Sequence, residues 1–138
     1  MSKAHSNLQT VKDFLKAVEN RIGFDELAKF YHRDILQVEY PNSITKTITE
    51  RTLADLQSAA LKGRQVLRKE AYELVHAYEM GDTVIIEVVW KGILAIPVGK
   101  LNAGDVMKAY FAQVFQFKDG KIFRQRNYDC FESFLFEQ

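Results

Sequence analysis

Between positions 106 and 131 the chain runs as two long, apolar-rich segments separated only by Lys118-Asp119-Gly120-Lys121. An Asp-Gly pair between two β-compatible runs is a strong local signal for a hairpin. It commits residues 106–117 and 122–131 to neighbouring antiparallel strands. A second pair, 70–80 and 83–94, turns at Gly81-Asp82, with Val84, Ile86, Val88 and Trp90 on one face. Four consecutive strands at the end of a chain cannot be wound into a parallel sheet of alternating strands and helices.

The first half of the chain is helical by pattern. Residues 7–21 place Leu8, Val11, Phe14, Leu15 and Val18 at helical spacing on one face. Gly23 is expected to stop this helix. Residues 24–31 predict a second, short helix capped from Asp25, and His32-Arg33-Asp34 a turn out of it. Residues 35–40 predict a strand ended by Pro41-Asn42. The polar stretch 43–50 reads as a loop or as partly extended chain. Thr52 and Asp55 form a capping-box pattern at the start of a third helix over 52–63. The order helix, helix, strand, helix, four strands gives an α+β class: a curved antiparallel sheet with helices on one face.

At 138 residues and a net charge of +1, the sequence predicts a single domain over 1–138, without the field that nucleic acid or an acidic membrane would require. The cluster Lys62, Arg64, Arg68 and Lys69 reads as a solvated helix end and turn. No apolar run has the length of a membrane span, and MSKAHSNLQT lacks the apolar core of a signal peptide, so a cytoplasmic location is expected. Cys130 is the only cysteine, so neither an internal disulfide nor a cysteine-based zinc site is available. It is expected to be a small buried apolar residue. His5 and His32 are placed in a tail and a turn, and His76 on a sheet surface or interface. With no clustered ligands, neither a metal nor a cofactor is expected.

The element order, together with three local sequences, resembles the NTF2-like superfamily and, within it, the SnoaL-like group. Glu79-Met80-Gly81-Asp82 with residues 84–90 is similar to the family's second hairpin. Ile96-Pro97-Val98-Gly99-Lys100 is similar to its Pro-x-Gly-Lys loop, and Phe115-Gln116-Phe117-Lys118-Asp119-Gly120-Lys121-Ile122 to its closing hairpin. The resemblance implies a cone in which a bent mixed or antiparallel sheet wraps N-terminal helices and encloses an apolar pocket. Family members include isomerases, cyclases, dehydratases, hydrolases and non-enzymatic binding proteins, so fold alone does not fix function.

Set against the family's chemistries, this sequence departs at the key positions. The ketosteroid isomerase pattern needs a carboxylate base and an oxyanion hole of Tyr and protonated Asp. The corresponding residues here are Tyr40, in Val38-Glu39-Tyr40-Pro41, with Phe14 and Gln113. A phenol with a pKa of about 10 is a poor base at neutral pH. The His-x-Asp pair of SnoaL-like cyclases corresponds to Gln125-Arg126-Asn127: proton transfer is lost there and hydrogen bonding kept. The Asp-Arg-Asp relay of the fold's epoxide hydrolases has no clear Arg and second Asp.

Alternation puts Gln125, Asn127 and Asp129 on one strand face. Either they face a pocket or Arg124, Arg126 and Tyr128 do, and two buried arginines are the less favourable choice. Asp129 is then the candidate base. Gln113, among Phe111, Phe115 and Phe117, is either a ligand donor or a satisfied core amide. Tyr40 is either the catalytic group its position implies or a packing tyrosine, and Glu39 is expected outside. Phe14, Trp90, Phe111 and Phe115 are the expected apolar lining. The outward face, with Tyr110, Val114, Gln116, Ile122, Arg124, Arg126, Tyr128, Glu87 and Val89, suits a homodimer interface. The sequence thus supports a pocket for a small apolar carbonyl or hydroxyl compound, with cofactor-independent acid/base chemistry. A non-catalytic binding or interaction domain is the alternative.

Overall fold

The computed structural model describes residues 6–136. Helices α1 (Asn7–Glu19) and α2 (Phe24–Leu27) are followed by a 3-10 turn (Ala28–Phe30), strand β1 (Tyr31–Glu39), short strand β2 (Thr49–Arg51) and helix α3 (Leu53–Val66). Strands β3 (Leu67–Met80), β4 (Thr83–Leu94), β5 (Val106–Lys118) and β6 (Lys121–Phe131) complete the chain. They form one six-stranded sheet in the order β2-β1-β6-β5-β4-β3. All pairs are antiparallel except β1 with β6, which is parallel, so the sheet is mixed.

Local chemistry explains most boundaries. The Ser6 hydroxyl accepts from the Gln9 amide at 3.0 Å and starts α1. The helix ends at Asn20, with Arg21 in the left-handed region at φ 53°, earlier than Gly23. Gly23 instead precedes α2 as its N-cap residue, and Asp25 lies inside that helix rather than at its cap. The capping box at α3 forms as the sequence implies: the Thr52 amide donates to Asp55 Oδ2 at 2.9 Å, and the Thr52 hydroxyl accepts from the Asp55 amide. Caps of this kind stabilise by about 1 kcal/mol. Asp119 and Gly120 both have positive φ (53° and 74°), the geometry that makes a two-residue turn follow the strand twist.

Long-range pairing corrects two expectations and settles one open alternative. His32, Arg33 and Asp34 belong to β1, not to a turn. Part of the ambiguous 43–50 segment is recruited as β2, because Thr49 and Glu50 pair with Glu39 and Val38. Ile122 is fully buried, not on the outer face, because a bulge places Phe117 opposite Ile122 but Gln116 opposite Arg124. The extra residue reverses the side-chain alternation at that point.

The concave face carries the core. Val84, Ile86 and Leu94 from β4, Phe115 from β5, Ile122 from β6 and Val11 from α1 are fully buried. Each such side chain contributes on the order of 1.5–3 kcal/mol. Phe14 packs edge-on against Phe30, Tyr31 and Phe115 with centroids 5.5–6.1 Å apart. Trp90, Phe111, Phe131 and Phe134 form a second aromatic group. The loop after β4 is sealed by the C-terminal segment: Lys100 N donates to Phe134 O at 2.7 Å. Gly99, at φ 55°, lies so close to that carbonyl that any side chain would overlap it.

The convex face is solvated. Tyr110 and Tyr128 are exposed there, Tyr110 donating to Glu132 at 2.8 Å and Arg126 to Gln116 at 3.1 Å. Cys130 is exposed, contrary to its expected burial, because it follows the outward parity of Tyr128. His76 lies exposed on β3, and His5 lies outside the described residues.

Candidate functional site

A cavity of about 400 Å³ lies between α1, α3 and the concave face of the sheet. Phe14, Leu15 and Leu56 make part of its apolar wall, and one side of it is a polar belt. The belt follows from register. Arg51 on β2 is opposite Gln37 on β1, Gln37 is opposite Gln125 on β6, Glu39 opposite Asn127, and Asn127 opposite Gln113 on β5. Six polar side chains from four adjacent strands therefore meet on the cavity side of one sheet.

The four amides are buried: Gln37, Gln113, Gln125 and Asn127 are each 8% exposed or less. A buried amide oxygen without a donor costs about 1–3 kcal/mol, so each should be accounted for. Gln37 Oε1 accepts from Arg51 at 3.2 Å, and Asn127 Oδ1 accepts from Gln125 Nε2 at 3.0 Å. Gln113 Oε1, Gln125 Oε1 and Asp129 Oδ1 are buried with no partner among the described residues. These acceptors are aligned on β5 and β6 and lack a donor.

Two carboxyl groups differ sharply. Glu39 Oε1 accepts from Arg51 at 2.8 Å, and Oε2 accepts from Asn42 and Thr45, each at 2.8 Å. Burial alone would raise its pKa, but the hydrogen bonds from Asn42, Arg51 and Thr45 and the Arg51 charge outweigh it and hold it below the usual range. Asp129 has burial as its main influence and the nearby Glu39 charge as the second, against a smaller pull from Arg51. Its pKa is pushed up to about 7. The Tyr31 phenol, on the cavity wall, is raised by burial and stays protonated.

The sequence-derived site residues divide into three groups. Phe14, Gln113, Gln125 and Asn127 line the cavity. Trp90, Phe111 and Phe115 are buried on the same face but do not line it: Trp90 stacks on Phe111 at 5.5 Å, and Phe115 is enclosed against Phe14. Asp129 shares the face of Gln125 and Asn127 without being part of the cavity lining, and feels the belt through the charges of Glu39 and Arg51. Tyr40 is a correction. It stacks on Tyr128 of the convex face at 4.7 Å, and Glu39, expected outside, is the one that turns to the cavity. Adjacent strand residues point opposite ways, so only one of the two can face inward.

Sequence reasoning missed Gln37, Glu39, Arg51 and Glu70. Glu70 lines the cavity, with Oε1 accepting from Tyr72 at 2.9 Å and Trp90 Nε1 at 3.0 Å. Alternation with buried Ile35 could have exposed the Gln37 and Glu39 pattern, whereas nothing local marks Arg51. Among the described residues no three His, Cys, Asp or Glu side chains converge as a metal site would. No described helix is long and apolar enough to cross a membrane.

Solved structures share this architecture. IdmH from Streptomyces antibioticus superposes with a TM-score of 0.75 at 14% identity, covering 91% of this chain and 92% of that one. A SnoaL-like polyketide cyclase from Agrobacterium tumefaciens gives 0.69 at 12% identity, covering 91% and 92%. A protein of ketosteroid isomerase-like fold from Catenulispora acidiphila, in complex with trimethylamine, gives 0.68 at 16% identity, covering 87% and 84%. No family model matches the sequence, and no curated protein does. The chain thus shares the fold of these NTF2-like, ketosteroid isomerase-like and SnoaL-like structures.

Proposed function

We propose that this single SnoaL-like domain binds a small, largely apolar carbonyl or hydroxyl compound and moves a proton on it without a cofactor. The reaction would be of the isomerase, cyclase, dehydratase or hydrolase type. The observation that carries this reading is the run of unsatisfied acceptors, Gln113 Oε1, Gln125 Oε1 and Asp129 Oδ1, beside a cavity of about 400 Å³. A ligand hydroxyl or N–H would supply the missing donors. Asp129, poised near pH 7 by burial, takes a proton from the ligand and returns it to another ligand atom. The protonated Tyr31 phenol can donate to a ligand carbonyl. Glu39 is too well hydrogen-bonded to serve as the base; it keeps Asp129 basic through its charge.

The test is replacement of Asp129 by Asn, with turnover measured across a panel of cyclic ketones, enols and hydroxylated aromatics. Turnover by the parent and a loss of at least about 100-fold in the variant are expected. Unchanged turnover removes Asp129 from the mechanism.

One observation favours a second reading, binding without chemistry. Asp129 does not itself line the cavity, so a ligand could fill the space without touching it. In that case the amides would recognise the ligand and no substrate in the panel would turn over. Under either reading we place the protein in the cytosol as a homodimer through the convex face, where Tyr110 and Tyr128 are exposed. A solution mass near that of one 16.0 kDa chain at micromolar concentration would exclude a stable dimer.

A further inference from the structure

We infer that the cavity's ligand is amphipathic, with an oxyanion such as a carboxylate seated at the cavity mouth between Arg21 and Arg64. This inference rests on the reading of the cavity as a ligand site and names the chemistry of the ligand's second end.

Arg21 and Arg64 both line the cavity, beside Leu61, which is 60% exposed and marks where the cavity reaches solvent. The two side chains clasp each other's backbone. Arg21 Nη2 donates to Arg64 O at 3.3 Å; Arg64 Nη2 donates to Arg21 O at 3.0 Å and to Ile22 O. These acceptors are neutral carbonyls. Among the described residues no carboxylate lies within ion-pair distance of either guanidinium. The cavity's own carboxylates are engaged elsewhere, Glu39 with Arg51 and Glu70 with Trp90 and Tyr72.

Each clasp bond uses only Nη2. Among the described residues the Nε and Nη1 donors of both groups have no acceptor, and this fork geometry suits a planar oxyanion. An anion at the mouth would meet two positive charges that no described carboxylate offsets at ion-pair distance. Arg64 has an ordinary reason to be where it is, since the last turn of α3 favours a cation. Arg21 has none. It occupies a left-handed backbone position, φ 53°, where glycine or asparagine is at ease and most residues with a Cβ are strained. Its guanidinium is held at the mouth in spite of its backbone.

The experiment compares two fluorescent probes with the same rings. One, 8-anilinonaphthalene-1-sulfonate, carries an oxyanion, and the other, N-phenyl-1-naphthylamine, does not. Arg21→Gln and Arg64→Gln are each expected to weaken the sulfonate probe by about fivefold or more and the neutral probe by less than twofold. Raising salt should weaken only the sulfonate probe. Arg21→Lys, which keeps charge but loses the fork, should fall between the parent and Arg21→Gln. If both probes weaken together, or neither does, the arginines are a structural clasp and the inference fails while the cavity reading stands. If neither probe binds the parent protein, the cavity reading fails and this inference goes with it.

Discussion

The polar belt has two halves, and they differ in how their groups are satisfied. On β1 and β2, both Glu39 oxygens have donors, and Arg51 binds Glu39 and Gln37 together. On β5 and β6, three buried acceptors have none. Burial and strand geometry are shared; partnering is not. The paired half is a brace that fixes short β2 against β1. The unpaired half keeps hydrogen-bonding capacity in reserve, and only there can a ligand gain bonds without breaking existing ones.

The sharpest way to break this contrast is to remove one member of the brace. Glu39→Gln leaves partly buried Arg51 without a counter-charge and should cost about 2–3 kcal/mol at pH 7 in denaturant melts. A cost below about 1 kcal/mol would mean the brace is not one. Because the folded-state pKa of Glu39 is lowered, its contribution is present above the unfolded carboxylate range and is lost as pH falls through the folded value.

Asp129→Asn should act in the opposite direction. Its folded pKa, about 7, is above the unfolded value, so the folded state binds the extra proton between about pH 4 and pH 7. Stability from this group therefore declines as pH rises through that window, and the ionised form is a net penalty above it. The variant should be stabilised by roughly 2 kcal/mol at pH 8 and differ little from the parent at pH 4. Equal effects at both pH values would show that Asp129 titrates normally.

Gln113→Leu removes an unsatisfied acceptor, so its stability should shift by less than about 1 kcal/mol in either direction, while ligand affinity falls. A large destabilisation would place Gln113 with the brace. The smallest effect is expected for Tyr40→Phe, within about 0.5 kcal/mol and without influence on turnover, since Tyr40 stacks on the convex face.

Features set by short-range chemistry were readable from the sequence: the Thr52–Asp55 box, the Asp119-Gly120 turn, and the β4 and β5 faces that place Gln113 among phenylalanines. The inward row Gln125-Asn127 was readable too, because alternation within one strand is local. What escaped reading depends on partners far along the chain. Which of Glu39 and Tyr40 faces inward is fixed by pairing with Asn127, and position next to Pro41 carries no parity information. Arg51 reaches the belt only because β2 joins β1. The bulge that buries Ile122 is a property of two strands together. Pockets are hard to read for the same reason: Trp90, Phe111 and Phe115 have cavity-like composition, but Trp90 and Phe111 pack on each other and on Phe131, and Phe115 packs on Phe14.

The parallel contact between β1 and β6 also sets a time order. Tyr31 pairs with Ile122, and Glu39 with Asn127. Closing a loop of roughly 90 residues is slow and comes after local hairpins form. During synthesis β1 emerges long before its partner and must wait, with Gln37 and Glu39 uncovered, until the last hairpin is made. The amide wall is thus assembled at the end of folding, and a chain competent to hold a ligand there is one whose whole sheet has closed.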